Sequence, residues 1–189
     1  MAFELILGII VLVAIVAIIA YIAIYNSLVG LKKKVENAWA QIDVQLKRRA
    51  DLIPNLIETV KGYAKFERKV LTEVTEARTA VMTAKSPKDS AKAENMLAGA
   101  LKTIFAVAEA YPTLKANENF VSLQEEFAST ENKIAYARQF YNDMVMEFNT
   151  KIAQFPSNII AGMMGYKDKE FFEAVEAERK VVKADFSDL

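Results

Sequence analysis

The N-terminal segment constrains the fold most, because residues 5–25, from Leu5 to Tyr25, contain no charged side chain. At a rise of about 1.5 Å per residue, a helix of this length spans about 31 Å, which matches the hydrocarbon core of a bilayer. We therefore expect a transmembrane helix whose partner is the lipid bilayer. A cleaved signal peptide has a basic stretch before a shorter apolar run. The first basic residue here is Lys32, so we expect the segment to be retained.

The charges that flank this segment predict its orientation. Glu4 precedes it, whereas Lys32, Lys33 and Lys34 follow it, and a second basic cluster lies at 47–49. Basic flanks stay on the cytoplasmic side. We therefore expect a single-pass protein of the cell membrane with its N-terminus outside and its body in the cytoplasm. The body carries 24 basic and 23 acidic residues, a balance that does not indicate a nucleic-acid partner.

Beyond the apolar segment the sequence predicts helices almost throughout. Leu28, Val35, Ile42 and Leu56 belong to a seven-residue apolar repeat that continues through Tyr63, and such a stripe must be buried against other helices. We expect helices at 5–50, 52–84, 89–110 and 116–153, and a weaker one at 168–182. Breaks are expected where prolines interrupt the pattern, with Asp89 or Ser90 capping the third helix. The predicted fold class is all-α: a transmembrane helix at 1–25, an antiparallel bundle at 26–156, and a tail with a short helix at 157–189.

The segment QLKRRADLIPNL at 45–56 allows two interpretations. Asp51 is a suitable N-cap and Pro54 fits a first helical turn, which together predict a corner and hence a four-helix bundle. The heptad phase, however, runs through this segment unbroken, as in a single long helix kinked at Pro54 and a three-helix bundle.

Polar residues on helix faces are the candidates for structural or binding roles. Glu131, Arg138, Asn142 and Asn149 share a face with apolar residues that should point inward, so they need partners on facing helices. We expect interhelical hydrogen bonds that fix the register of the bundle, and a buried polar stripe that binds a ligand is the alternative. The full set of candidates is Asp43, Gln45, Arg48, Arg49, Asp51, Pro54, Asn55, Arg78, Glu131, Asn132, Arg138, Asn142 and Asn149.

The amino-acid composition excludes several classes of catalytic and metal-binding site. The chain has no histidine and no cysteine, which excludes structural zinc sites and nucleophiles that need an imidazole or a thiol. No glycine-rich phosphate loop is present. We therefore expect no catalysis, no cofactor and no metal.

The tail contains apolar residues that either cover the end of the bundle or form an exposed contact site for a membrane or partner protein. They are Ile159, Ile160, Met163, Met164, Tyr166, Phe171 and Phe172.

Two long blocks carry a resemblance to a known family. YNSLVGLKKKVENAWAQIDVQLKRRADLIPNLIETVKGYAKFE at 25–67 and YPTLKANENFVSLQEEFASTENKIAYARQFYNDMVMEFNTKIAQFP at 111–156 closely resemble conserved blocks of the LemA family. A third match is the ending with Gly165, Tyr166, Phe171 and Phe172. The resemblance implies a bacterial single-span membrane protein with a helical-bundle body in the cytoplasm. Members often carry a histidine where this chain has Phe66 and sometimes another at Ala50, so imidazole chemistry is not available to this member.

The resemblance also bears on function. A relative in magnetosome-forming bacteria is associated with building that membrane compartment, and members are often encoded beside a membrane metalloprotease. These associations imply a membrane-organising or a quality-control role. We expect a non-catalytic scaffold or adaptor with a protein partner. The alternatives are membrane remodelling by self-association and a cryptic enzyme or ligand sensor built on the polar stripe.

Overall fold

A computed structural model describes residues 1–61 and 68–172, and this part of the chain contains helices and no strands. A long apolar N-terminal helix is followed by further helices that form a bundle, so the all-α prediction is confirmed. The helices are α1 Ala2–Asp51, α2 Ile53–Lys61, α3 Arg68–Thr83, α4 Pro87–Ala108, α5 Pro112–Lys115, α6 Glu118–Ala153 and α7 Ser157–Met163.

Local hydrogen bonds explain where the helices begin. Ser86 has an extended backbone and caps α4, because its Oγ accepts a hydrogen bond from the N–H of Asp89, and Pro87 occupies the first turn. The expectation that Asp89 or Ser90 would cap this helix was therefore wrong by one turn. The Oδ1 of Asn117 similarly accepts from the N–H of Phe120 at the start of α6, at 3.1 Å.

The junction between α1 and α2 is a kink. Only Leu52 separates the two helices. Its N–H donates to the carbonyl of Arg49 at 3.3 Å and its own carbonyl accepts from Leu56 at 3.1 Å, so helical hydrogen bonding resumes at once. A corner with Asp51 as N-cap was the wrong alternative, because Pro54 removes one hydrogen bond but leaves the heptad phase intact.

The structure divides into two compact units. The first combines Met1–Trp39 with Phe140–Glu170. Residues 5–25 of α1 are long and apolar enough to cross a membrane, and nearly all of their side chains are exposed. Farther along α1, Leu28, Leu31, Val35 and Ala38 are buried, as are Tyr141, Val145 and Phe148 of α6.

Among the described residues, the second unit combines 40–61 and 68–139 with Phe171 and Phe172. Ile42, Leu46, Ile53 and Leu56 bury one side of α1 and α2, which confirms the expected apolar stripe on this part of the chain. Helices α3 and α4 pack against each other, and α4 also contacts α5. Tyr63 and Phe66 lie outside the described residues.

The tail differs from expectation in where its helix lies. Its short helix is α7, within the apolar stretch after Pro156. Residues 168–172 of the helix expected at 168–182 are not helical, and 173–182 lie outside the described residues.

Candidate functional site

The second unit contains a buried charge cluster centred on Arg49. Its Nη1 contacts Oε1 of Glu94 on α4 and lies 2.6 Å from Oε2 of Glu131 on α6. The residue exposures of Arg49 and Glu94 are only 5% and 7%, whereas the Glu131 side chain is 56% exposed. A buried ion pair of this kind gives little net stability because both charges lose water, but it fixes which helix faces which. The cluster thus ties α1, α4 and α6 together in one register.

Burial dominates the electrostatics of this cluster. Desolvation raises the pKa of Glu94 from 4.5 to about 7, against the opposing attraction of Arg49, and the nearby negative charge of Glu131 adds to the rise. Arg138 also lowers the pKa of Glu94, so its charge is felt at the same carboxylate. Within the described residues, Nε of Arg49 and Oε2 of Glu94 make no hydrogen bond although both are buried. This carboxylate therefore changes its charge near neutral pH.

An open groove lies directly beside the cluster, between α4 and α6. Its volume is ≈ 520 Å³. Leu101, Phe105 and Phe127 supply apolar lining, and Phe105 contacts Phe127 edge-on at a ring separation of 5.8 Å. Charged and polar groups lie among and around these side chains, and the full lining is Arg49, Ala98, Leu101, Lys102, Phe105, Ala106, Glu109, Gln124, Phe127, Ala128 and Glu131. The groove therefore suits a ligand or peptide that has an apolar surface flanked by polar groups.

A second polar contact in this unit satisfies the backbone carbonyl that the kink leaves without a helical donor. Pro54 has no N–H, so the carbonyl of Ala50, four residues earlier, lacks its helical donor. The Nε of Arg78 on α3 donates to this carbonyl at 3.0 Å. Ala50 is fully buried, where an unpaired carbonyl would cost about 1–3 kcal/mol. Arg78 and Pro54 are therefore coupled through one backbone oxygen.

The other predicted polar residues of the second unit have separate positions. Asp43 pairs with Lys47 at 2.6 Å on an accessible face, and Gln45 is half-buried with an Oε1 that makes no hydrogen bond among the described residues. Arg138 is half-buried and has an interaction partner. The remaining candidates are exposed: Arg48, Asp51, Pro54, Asn55 and Asn132.

In the first unit, polar side chains of α6 hold the chain that follows α7. The Nδ2 of Asn149 donates to the carbonyl of Lys169 at 3.0 Å, and its Oδ1 accepts from the Lys169 N–H at 2.8 Å. The Tyr141 hydroxyl donates to the carbonyl of Glu170 at 2.8 Å, and burial raises its pKa to about 12. Asn142 is half-buried and also has an interaction partner. The predicted polar stripe therefore divides between the two units: Glu131 belongs to the charge cluster of the second unit, and Asn149 holds the chain after α7 in the first unit.

The apolar residues of the tail also fall into two groups. Ile160 is buried with Leu28, and Met164 and Tyr166 pack against the same cluster. Phe172 of the second unit is buried, at 2% exposure. The exposed members of the predicted contact surface are Ile159, Met163 and Phe171.

Glu94 is the residue of the cluster that sequence reasoning missed. It occupies a position of the apolar repeat in α4, which continues at Leu97, Leu101 and Ile104. A carboxylate at a position of the apolar repeat must be buried, and this feature of the sequence could have identified Glu94. Among the residues that the structure describes, no three His, Cys, Asp or Glu side chains form a group that could hold a metal ion.

Comparison with known proteins adds a family relationship. The model of the LemA family matches residues 38–186. The chain is 28% identical over 173 residues to Protein LemA of Metamycoplasma hominis, covering 89% of this chain and 77% of that protein. It is 24% identical to Magnetosome protein MamQ 2 of Paramagnetospirillum magneticum, covering 79% of this chain but only 64%, less than two thirds, of that protein. It is 23% identical to Magnetosome protein MamQ of Magnetospirillum gryphiswaldense, covering 89% of this chain and 72% of that protein.

Proposed function

The chain belongs to the LemA family, and from that premise we propose that it is a membrane-anchored, non-catalytic scaffold that holds a partner protein at the cytoplasmic face. The apolar N-terminal helix supports anchoring, since residues 5–25 have the length and composition of a membrane span. The basic residues at 32–34 and 47–49 support a cytoplasmic body.

The observation that carries the scaffold function is the groove between α4 and α6. Its apolar lining, which includes Phe105 and Phe127, is accompanied by Lys102 at one position and by Glu109 and Glu131 at others. An amphipathic helix binds such a groove by placing apolar anchors against the lining and polar groups at the rim. The occupant that we propose is therefore an amphipathic helix of a partner protein.

The lack of catalysis is part of the proposal. The chain has neither imidazole nor thiol, and the buried Arg49 is already engaged by two carboxylates. The guanidinium of Arg49 stays protonated, and held between two carboxylates it serves to position helices.

Photo-crosslinking from the groove tests the scaffold function. A benzophenone amino acid replaces Ala106, an exposed lining residue, in the full chain in its native membranes. We expect an adduct with a protein other than itself, identified by mass spectrometry. Adding Ala128→Trp fills the groove and should abolish the adduct, whereas Ser122→Trp on the opposite side of α6 should not. Recovery of self-adducts alone, or an adduct insensitive to Ala128→Trp, would contradict the proposal.

A second candidate is membrane organisation by self-association, which is favoured by the similarity to two relatives named as magnetosome proteins. Purified full chain, reconstituted at high surface density, should then deform liposomes seen by electron microscopy. Unaltered liposomes under these conditions would argue against it.

A further inference from the structure

Helix α7 has an exposed apolar face that its packing leaves uncovered. Phe155, just before the helix, is 81% exposed, Ile159 57% and Met163 75%. Their four-residue spacing places Ile159 and Met163 on one side of α7, and Phe155 is exposed in the turn that precedes the helix. Ile160 and Ala161 are instead buried with Leu28 of α1. We call Phe155, Ile159 and Met163 the outer face of α7.

The position of this face along α1 follows from the contacts of the first unit. The rings of Trp39 and Tyr141 lie 5.6 Å apart, and Ile152 packs against the cluster of Leu28. Ile152 follows Tyr141 on α6 whereas Leu28 precedes Trp39 on α1, so α6 runs antiparallel to α1 along this stretch. One residue after Ile152, α6 ends at Ala153, near the end of the apolar run at 5–25 on α1.

Direct contacts place α7 at the same level. Ile24, inside the uncharged segment, packs against the cluster that contains Ile160 and Ala161 of α7. Tyr21 and Tyr25 stack with ring centroids 6.3 Å apart at this end of the segment, where aromatic side chains mark the border between lipid and water. Helix α7 therefore lies beside the end of the membrane span.

Basic side chains follow on α1, beyond the end of the apolar run and farther from the membrane span. Lys32 sits over the ring of Tyr166, with its Nζ 5.4 Å from the centroid. Lys33 and Lys34 follow on α1, about two turns beyond Tyr25. Apolar groups at the end of the span and ammonium groups beyond it match the order of acyl chains and anionic headgroups in a bilayer.

We propose that the outer face of α7 lies in the interface of the bilayer that α1 spans and contacts lipid through Phe155, Ile159 and Met163. A face level with the end of a membrane span adjoins lipid without any further partner, and exposed apolar groups there are transferred from water into the acyl boundary. The proposal depends on α1 crossing the membrane but not on the scaffold function.

Single-cysteine labelling tests this placement, because the chain has no native cysteine. Full chain carrying Ile159→Cys, labelled with the environment-sensitive dye NBD, is reconstituted in vesicles of three parts phosphatidylcholine to one part phosphatidylglycerol. Met146→Cys is the matched control, since Met146 and Ile159 are both 57% exposed. Met146 lies seven residues before the end of α6 at Ala153, about 10 Å farther from the span along α6.

We expect the label at 159 to be quenched by shallow nitroxide-bearing lipids and protected from aqueous iodide by about five-fold relative to the label at 146, as for a group buried in the interface. Met163→Cys and Tyr136→Cys repeat the comparison, both positions being 75% exposed.

Three outcomes would overturn the proposal. Equal iodide access at 159 and 146 would mean that the face points into water. Protection from iodide without quenching by nitroxide lipids would mean that a second copy or another protein covers it. Failure of the protein to float with the vesicles would remove the anchoring premise and the proposal with it, whereas normal flotation with an exposed label would remove the α7 placement alone.

Discussion

The buried carboxylate of Glu94 makes stability depend on pH, and Glu94→Gln should remove this dependence. The pKa of Glu94 is about 7 in the folded protein and near 4.5 when it is exposed in the unfolded chain. Between these values the folded state binds more protons than the unfolded state. The free energy of unfolding contributed by this group is therefore greatest below pH 4.5 and is lost as the pH rises through 7.

The size of the effect follows from the shift. A pKa raised from 4.5 to about 7 corresponds to about 3 kcal/mol of stability lost across this interval. For a chain of this length the loss lowers the melting temperature by roughly 6–12 °C. Glutamine has nearly the same shape and stays neutral, so the variant should approach the wild type in stability at pH 4.5 and exceed it by about 3 kcal/mol at pH 7.

The assay is unfolding of the full chain in detergent micelles, followed by far-ultraviolet circular dichroism at a series of pH values. The informative quantity is the difference between wild type and variant, because the other carboxylates are common to both. Glu125→Gln, at an exposed position of α6, is the matched control for the loss of a carboxylate. Parallel stability curves for wild type and Glu94→Gln between pH 4.5 and 7 would refute the reasoning from burial.

The remaining expectations concern the other buried polar contacts. Arg78→Met should lower the free energy of unfolding in urea by about 1–2 kcal/mol, because the buried carbonyl of Ala50 loses its donor. Adding Pro54→Ala should recover most of this loss, because it restores the helical N–H at position 54. Equal costs with and without Pro54→Ala would contradict the coupling. Asn149→Leu should speed hydrogen exchange of the Lys169 amide by at least about ten-fold, since its acceptor is removed, and unchanged exchange would show that the side chain is dispensable. Arg49→Met should cost about 3–5 kcal/mol at pH above 7, measured by urea unfolding, because it leaves a buried carboxylate uncompensated. A cost independent of pH would contradict that explanation.

The two proposals assign the chain one contact with a protein and one contact with lipid. The groove in the second unit is the proposed site for a partner helix, and α7 in the first unit is the proposed lipid contact. Neither contact requires bond-making chemistry.

Features that depend on neighbours along the chain can be predicted from the order of the amino acids. The uncharged run at 5–25 predicts a membrane span, and the heptad repeat identifies Leu28, Val35, Ile42 and Leu56 as buried positions. The helix breaks near Pro87, Pro112 and Pro156 can also be predicted from the sequence. Helical periodicity, solvent preference and proline stereochemistry all act within a few residues, so the order of side chains is sufficient to reveal them.

Which side chains meet across helices depends on how the helices pack, and spacing along the chain does not show it. The sequence marks Arg49 and Glu131 as polar candidates but does not identify Glu94, because many carboxylates could face one arginine until the helices are placed. The kink rather than a corner at Pro54 depended in the same way on a distant donor, Arg78. The cost of a buried charge or an unpaired carbonyl depends on what lies across from it in space, and that is set by packing between helices and not by spacing along one.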